Sequence, residues 1–351
     1  MNVDMPQNDS DPVGGFTRRD FARMAALAAG TATLAACASP PTATAGPPSA
    51  PTHQLGPIKQ VDAGELNVGY AEAGPADGQP VILLHGWPYD VHSYADVSAS
   101  LAAKGFRVIV PHLRGFGSTR FLSAATMRNG QQAALGLDLI ALMDALAIPS
   151  AILGGYDWGG RTANVVAALW PQRVSALVAV SGYITVNLAA NLQPLPPEAE
   201  HGWWYQYYFA TPRGETGYRN NTHDFNKLIW QLASPAWKFT DATYNLSATA
   251  FDNPDHVDIV IHNYRWRLSL APGEARYDAD EQRLAARPPI TVPTITIGSD
   301  FDGAAKDGAG YRALYTGWYE HRVLEGIGHN VPQEAPDAFA AAITDVDKHK
   351  S

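Results

Sequence analysis

The chain has 351 residues, with 34 Asp and Glu against 25 Lys and Arg and a formal charge of −9. It carries no basic block, which argues against a nucleic-acid partner, and its single cysteine, Cys37, excludes an intramolecular disulfide. No apolar run reaches the length of a mature membrane-spanning helix, and no internal repeat is visible.

Residues 1–37 read as a targeting segment. Thr17-Arg18-Arg19-Asp20-Phe21-Ala22-Arg23 resembles a bacterial twin-arginine export signal, and an Ala-rich run without acidic residues follows from Met24 to Ala36. The run ends in Leu34-Ala35-Ala36-Cys37, which resembles a lipobox, so lipidation of Cys37 is expected; cleavage after Ala43-Thr44-Ala45 is the alternative. The first outcome gives a membrane-anchored lipoprotein and the second a periplasmic protein. Residues 38–56, rich in Pro, Ala and Thr, then form an extended tether. The remaining chain, about 295 residues, suits one large α/β domain or a core with an inserted lobe.

From Ile58 to Ala71 the pattern predicts a β-hairpin, and Val81-Ile82-Leu83-Leu84 a strand buried on both faces that leads into His85-Gly86-Trp87-Pro88. A helix around His92–Ala103, a strand at Arg107–Val110, the loop Pro111–Ser118 and a long helix from about Asn129 to Leu146 follow. The organising stretch is Ala151-Ile152-Leu153-Gly154-Gly155-Tyr156-Asp157-Trp158-Gly159-Gly160-Arg161, which reads as strand, tight turn, then a helical pattern from Thr162. Asp157 stands between small residues there; it is either a nucleophile or a cap for the helix. Another buried strand is expected at Ala176–Val180. The alternation predicts a parallel sheet with right-handed crossovers and a site beyond the strands' carboxyl ends.

Between residues 183 and 287 the strand pattern lapses into helical, aromatic-rich sequence, including Trp203-Trp204-Tyr205-Gln206-Tyr207-Tyr208-Phe209-Ala210-Thr211-Pro212 and His262-Asn263-Tyr264-Arg265-Trp266. Residues 288–351 return to the core with a strand near Thr291–Ile297, the turn Gly298-Ser299-Asp300-Phe301-Asp302-Gly303, and a strand near His321–Leu324. The chain then reads Gly326-Ile327-Gly328-His329-Asn330-Val331-Pro332-Gln333-Glu334-Ala335-Pro336.

These motifs together resemble the α/β-hydrolase-fold epoxide hydrolases, in the branch with an Asp nucleophile that also holds haloalkane dehalogenases. The resemblance covers about residues 58–346 and implies a mostly parallel eight-stranded sheet with flanking helices. It also implies a core in two parts, residues 57–182 and 288–351, with a helical cap at 183–287. It gives Asp157 the nucleophile's place, His329 the base and Asp302 the triad acid, with Asp300 as the alternative acid. The amides of Trp87 and Trp158 become the oxyanion hole, and Tyr205 and Tyr264 the ring-opening acids, with Tyr207 the fallback for Tyr205. A proline at the position of Pro88 is often cis in such turns. The loop containing Arg114 carries His112 where relatives usually have aspartate, and is read as structural.

The chemistry supports such an assignment. A carboxylate displaces a leaving group from saturated carbon to give an ester, which a base-activated water then hydrolyses. Opening an epoxide expels a basic alkoxide that needs a proton, which phenols supply; a halide needs none. No metal or other cofactor is required. Fluoroacetate-type relatives place arginines one and four residues after the nucleophile; here Trp158 takes the first position and only Arg161 remains. A small haloacid is therefore disfavoured and a neutral, apolar small molecule expected, on a monomer or homodimer.

Overall fold

The structure, a computed structural model, describes residues 53–300, 308 and 310–350. The expected export signal, Cys37 and most of the tether lie outside the described residues, as does Asp302. No helix among the described residues is long and apolar enough to cross a membrane.

Strands β1 (Lys59–Ala63) and β2 (Leu66–Ala73) form the expected hairpin, and β3 (Gln79–Leu84), β4 (Phe106–Pro111), β6 (Ala151–Gly155), β7 (Val174–Val180), β8 (Thr294–Gly298) and β9 (Tyr319–Val323) complete the main sheet. Its order is β1-β2-β4-β3-β6-β7-β8-β9, antiparallel at β1, β2 and β4 and parallel from there on. The two-residue strand β5 (Arg120–Phe121) pairs with β2 and makes a ninth. Val81, Ile82, Leu83 and Leu84 are completely buried, which explains why β3 reads as an unbroken apolar run.

Helices α1 (Ala95–Ala103), α2 (Gln132–Ala145) and α3 (Asp157–Leu169) flank the sheet, with α13 (Pro336–Asp347) closing the chain. Helix α3 starts at Asp157, five residues before the sequence pattern suggests, because Gly159 and Gly160 carry no side chain to register in that pattern. The Arg114 loop is a structural clamp: Nε and Nη2 donate to Asp138 at 2.6 and 2.7 Å, and Nη1 to the Asn129 carbonyl at 2.7 Å. His112 is buried beside it, and burial pulls its imidazole down to about 4.

The helical cap comprises α4 (Leu188–Asn191), α5 (Pro197–Gly202), α6 (Tyr205–Ala210), α7 (Pro212–Asn220), α8 (Thr222–Ala233), α9 (Asp241–Ala248), α10 (His256–Arg267) and α11 (Asp278–Ala285), followed by the short α12 (Val331–Glu334) in the second part of the core. Thr211 caps α7 through the Gly214 amide, with Pro212 at the first helical position. The cap's interior is aromatic: Phe209 packs on Tyr218, Phe225 and Tyr264 with ring centroids 4.9, 5.2 and 5.3 Å away.

Gln132 clamps the start of the cap to the core. Its Oε1 accepts the Val186 amide at 2.7 Å, and its Nε2 donates to the Val186 carbonyl and to Glu281, both at 2.9 Å. Glu281 also accepts the Ala133 amide at 3.1 Å, yet burial raises its carboxyl to about 7, above the 4.5 of an ordinary glutamate. A carboxyl raised on folding favours the protonated form, so its contribution is complete below pH ~4.5 and fades as the pH climbs through ~7. Glu281→Gln should therefore gain about 1–3 kcal/mol relative to the parent between pH 5 and pH 8, read from urea midpoints. A stability difference that stays constant with pH would contradict this.

Candidate active site

Leu84, the last residue of β3, pairs with Gly155, the last of β6. The two following turns therefore leave adjacent strands at one level, above the carboxyl ends of the sheet. Their backbones nearly touch: a Cβ on Gly159 would lie 1.9 Å from the Leu84 carbonyl oxygen, and one on Gly86 would lie 2.5 Å from Asp157 Cβ. The spacing of small residues around Asp157 follows from this contact.

Asp157 itself has φ of +50°, a conformation L-residues adopt at a cost of about 1–2 kcal/mol. The turn aims its carboxylate back at the Trp87 amide, which donates to Oδ1 at 2.7 Å. The Trp87–Pro88 peptide is cis. His85 holds this turn, its Nε2 accepting the Leu113 amide at 3.1 Å. The Trp158 amide is the second in α3, among the helix-start amides without an intrahelical acceptor.

The other oxygen, Asp157 Oδ2, lies 3.6 Å from His329 Nε2. Burial pushes the Asp157 carboxyl up, but His329, the Arg161 charge and the Trp87 amide outweigh it and leave the group below the usual carboxylate range. It is ionised at neutral pH. Asp300 does not meet the histidine: its Oδ2 accepts the Gly326 amide at 2.7 Å and shapes the turn before it. Asp302, expected as the triad acid, is outside the described residues.

Over the carboxylate sit the two cap tyrosines. Tyr205 and Tyr264 pack edge to face with centroids 5.5 Å apart, each 5.2 Å from the Trp87 indole. Burial and the Asp157 charge raise both phenols above the usual tyrosine range, so both stay protonated donors. Tyr207, the fallback for Tyr205, is 48% exposed, and its hydroxyl donates to Glu200 on the outside of the cap. Tyr205 also lines a cavity of about 270 Å³ with His201, Trp204, Ile229, Leu232 and Ala233.

Two residues without a sequence-based role hold the histidine. Glu334 accepts the Gly328 and Asn330 amides, at 2.8 and 3.0 Å, on either side of His329, and the Ser234 hydroxyl at 2.6 Å. Ser234 Oγ in turn accepts the His329 amide at 3.0 Å. Ser234 ends cap helix α8, so one buried carboxylate ties cap and histidine turn together. The signal for Glu334 was its place in the turn-to-helix motif, but which amides it satisfies is visible only in three dimensions. Glu334→Gln turns an NH₂ towards the Gly328 amide and should cost about 1–3 kcal/mol in urea denaturation, with lowered turnover. Unchanged stability and turnover would show that the turn holds itself.

The α/β hydrolase fold family matches residues 79–219. The chain is 26% identical over 305 residues to an epoxide hydrolase from Caballeronia sordidicola, covering 80% of this chain and 91% of that one. It is also 26% identical to a haloalkane dehalogenase from Mycobacterium marinum, over 60% of this chain and 70% of the relative. A crystal structure from Klebsiella pneumoniae described as a "putative epoxide hydrolase" shares 62% identity and superposes with a TM-score of 0.81, over 83% of this chain and 97% of the other. The chain belongs to the α/β-hydrolase-fold epoxide hydrolase family and is a hydrolase.

Proposed function

We propose that this enzyme opens an epoxide to a vicinal diol through an ester on Asp157. The observation that carries the reading is the pair of protonated phenols, Tyr205 and Tyr264, packed on the Trp87 ring whose amide holds the Asp157 carboxylate. A leaving halide needs no proton from them, whereas a leaving alkoxide does.

In the first step Asp157 Oδ2 attacks a ring carbon as the C–O bond breaks, and the departing oxygen takes its proton from a phenol. Oδ1, already on the Trp87 amide, becomes the ester carbonyl oxygen, and the Trp158 amide is the second donor to it. His329 then takes one proton from a water that adds to Cγ. Collapse of the tetrahedral intermediate expels the second diol oxygen, which recovers that proton from the imidazolium, while the water's other proton restores the phenol. Asp302 is the acid that orients His329 in this scheme.

The second reading is haloalkane dehalogenation. It is favoured by the buried indole N–H of Trp158, which has no hydrogen-bond partner among the described residues and is suited to a halide. A panel of neutral epoxides and haloalkanes separates the two. Diol from epoxides is expected, with a loss of roughly 10-fold for Tyr205→Phe or Tyr264→Phe alone and 10²–10⁴-fold for both together. His329→Gln should accumulate a protein heavier by the mass of the epoxide, and Asp157→Ala should not. Halide release from haloalkanes without diol from any epoxide would select the second reading.

A further inference from the structure

Two arginines at the site are not accounted for by epoxide opening. Arg161 lies one helical turn beyond Asp157 on α3 and so projects from the same face. It is 7% exposed, and its Nε donates to the Ile184 carbonyl at 3.1 Å. Arg267 ends α10, the helix of Tyr264, with its guanidinium carbon 5.4 Å from the Tyr264 ring centroid. Its Nε is buried and has no hydrogen-bond partner among the described residues.

Among the described residues neither guanidinium lies within 4.0 Å of a carboxylate. By contrast, buried Arg114 is paired with Asp138, and Arg265, two residues before Arg267, with Glu215. Arg267 also lines a pocket of about 110 Å³ that contains Glu200, but that carboxylate is engaged by the Tyr207 hydroxyl and the Leu195 amide. Burial and the Arg267 charge pull the Arg161 guanidinium down to about 10, and the Asp157 charge only partly offsets them. Asp157 is the carboxylate whose charge reaches Arg161, and no ion pair closes between the two. A buried guanidinium without an ion-pair partner is costly unless an anion joins it.

We infer that Arg161 and Arg267 form a carboxylate-binding subsite beside Asp157, so that the substrate is an epoxide bearing a carboxylate close to the ring. The inference rests on the epoxide reading and replaces the neutral, apolar substrate expected from the sequence. Arg161 comes from the nucleophile's own helix and Arg267 from the cap. A carboxylate held between them bridges core and lid, and fixes the ring over Oδ2 by its distance from the anion.

The test uses cyclopropanecarboxylate and cyclopropanecarboxamide, whose three-membered ring mimics the epoxide but cannot be opened. Binding of each is measured calorimetrically in low-salt, halide-free buffer to the parent, Arg161→Met and Arg267→Met. The parent should bind the carboxylate roughly 100-fold more tightly than the amide, the worth of two charge-assisted contacts. Each substitution should remove at least ~10-fold of that preference. Equal binding of the two compounds to the parent, or a preference that survives both substitutions, overturns the subsite. Should a variant fail to fold, the parent's carboxylate-to-amide ratio still decides. Neither probe reacts, so the outcome is independent of turnover. Carboxylate preference without diol from any epoxide keeps the subsite and removes the epoxide reading; diol from neutral epoxides without the preference does the reverse.

Discussion

The architecture depends on the register between β3 and β6. Because Leu84 stands opposite Gly155, the turn after each strand arrives at one point, and the Trp87 amide meets the Asp157 carboxylate at 2.7 Å. That contact tolerates no side chain at Gly86 or Gly159, and it holds Asp157 at a positive φ. The cost of such a conformation, about 1–2 kcal/mol, is small beside the burial of the strands beneath it. A rigid parallel sheet can carry a strained turn that a loop alone could not.

The cap is joined to this centre by polar contacts as well as by packing. Gln132 fastens its first segment, and Ser234 with Glu334 fastens the end of α8 to the histidine turn. Cap position and histidine position are thus coupled through backbone amides that a buried carboxylate satisfies. The aromatic interior then sets where Tyr205 and Tyr264 stand relative to the core tryptophan.

Much of this was legible in the chain because burial on both faces leaves continuous apolar runs, as at Val81–Leu84, and because tight turns demand glycine, as around Asp157. What was not legible is three-dimensional in origin. Tyr205 and Tyr207 are two residues apart on a helix and so point to opposite sides, which composition alone does not rank. Glu334 reads as a helix residue until the amides of the turn are seen converging on it. Arg161 and Arg267 are separated by most of the cap in sequence, and their want of an ion-pair partner exists only once the chain is folded. Asp300 and Asp302 differ by two positions in one acidic turn; the structure commits Asp300 to the Gly326 amide, and Asp302 lies outside the described residues.

If the carboxylate of Asp157 is what attacks carbon, one diol oxygen comes from the protein and not directly from water. A single turnover of an epoxide by excess enzyme in ¹⁸O-water, followed by mass analysis of the diol and of the peptide containing Asp157, reads this directly. The account predicts an unlabelled diol and ¹⁸O in the Asp157 carboxylate. A labelled diol beside an unlabelled peptide would mean that water attacks the ring itself, and would contradict the role given to Asp157.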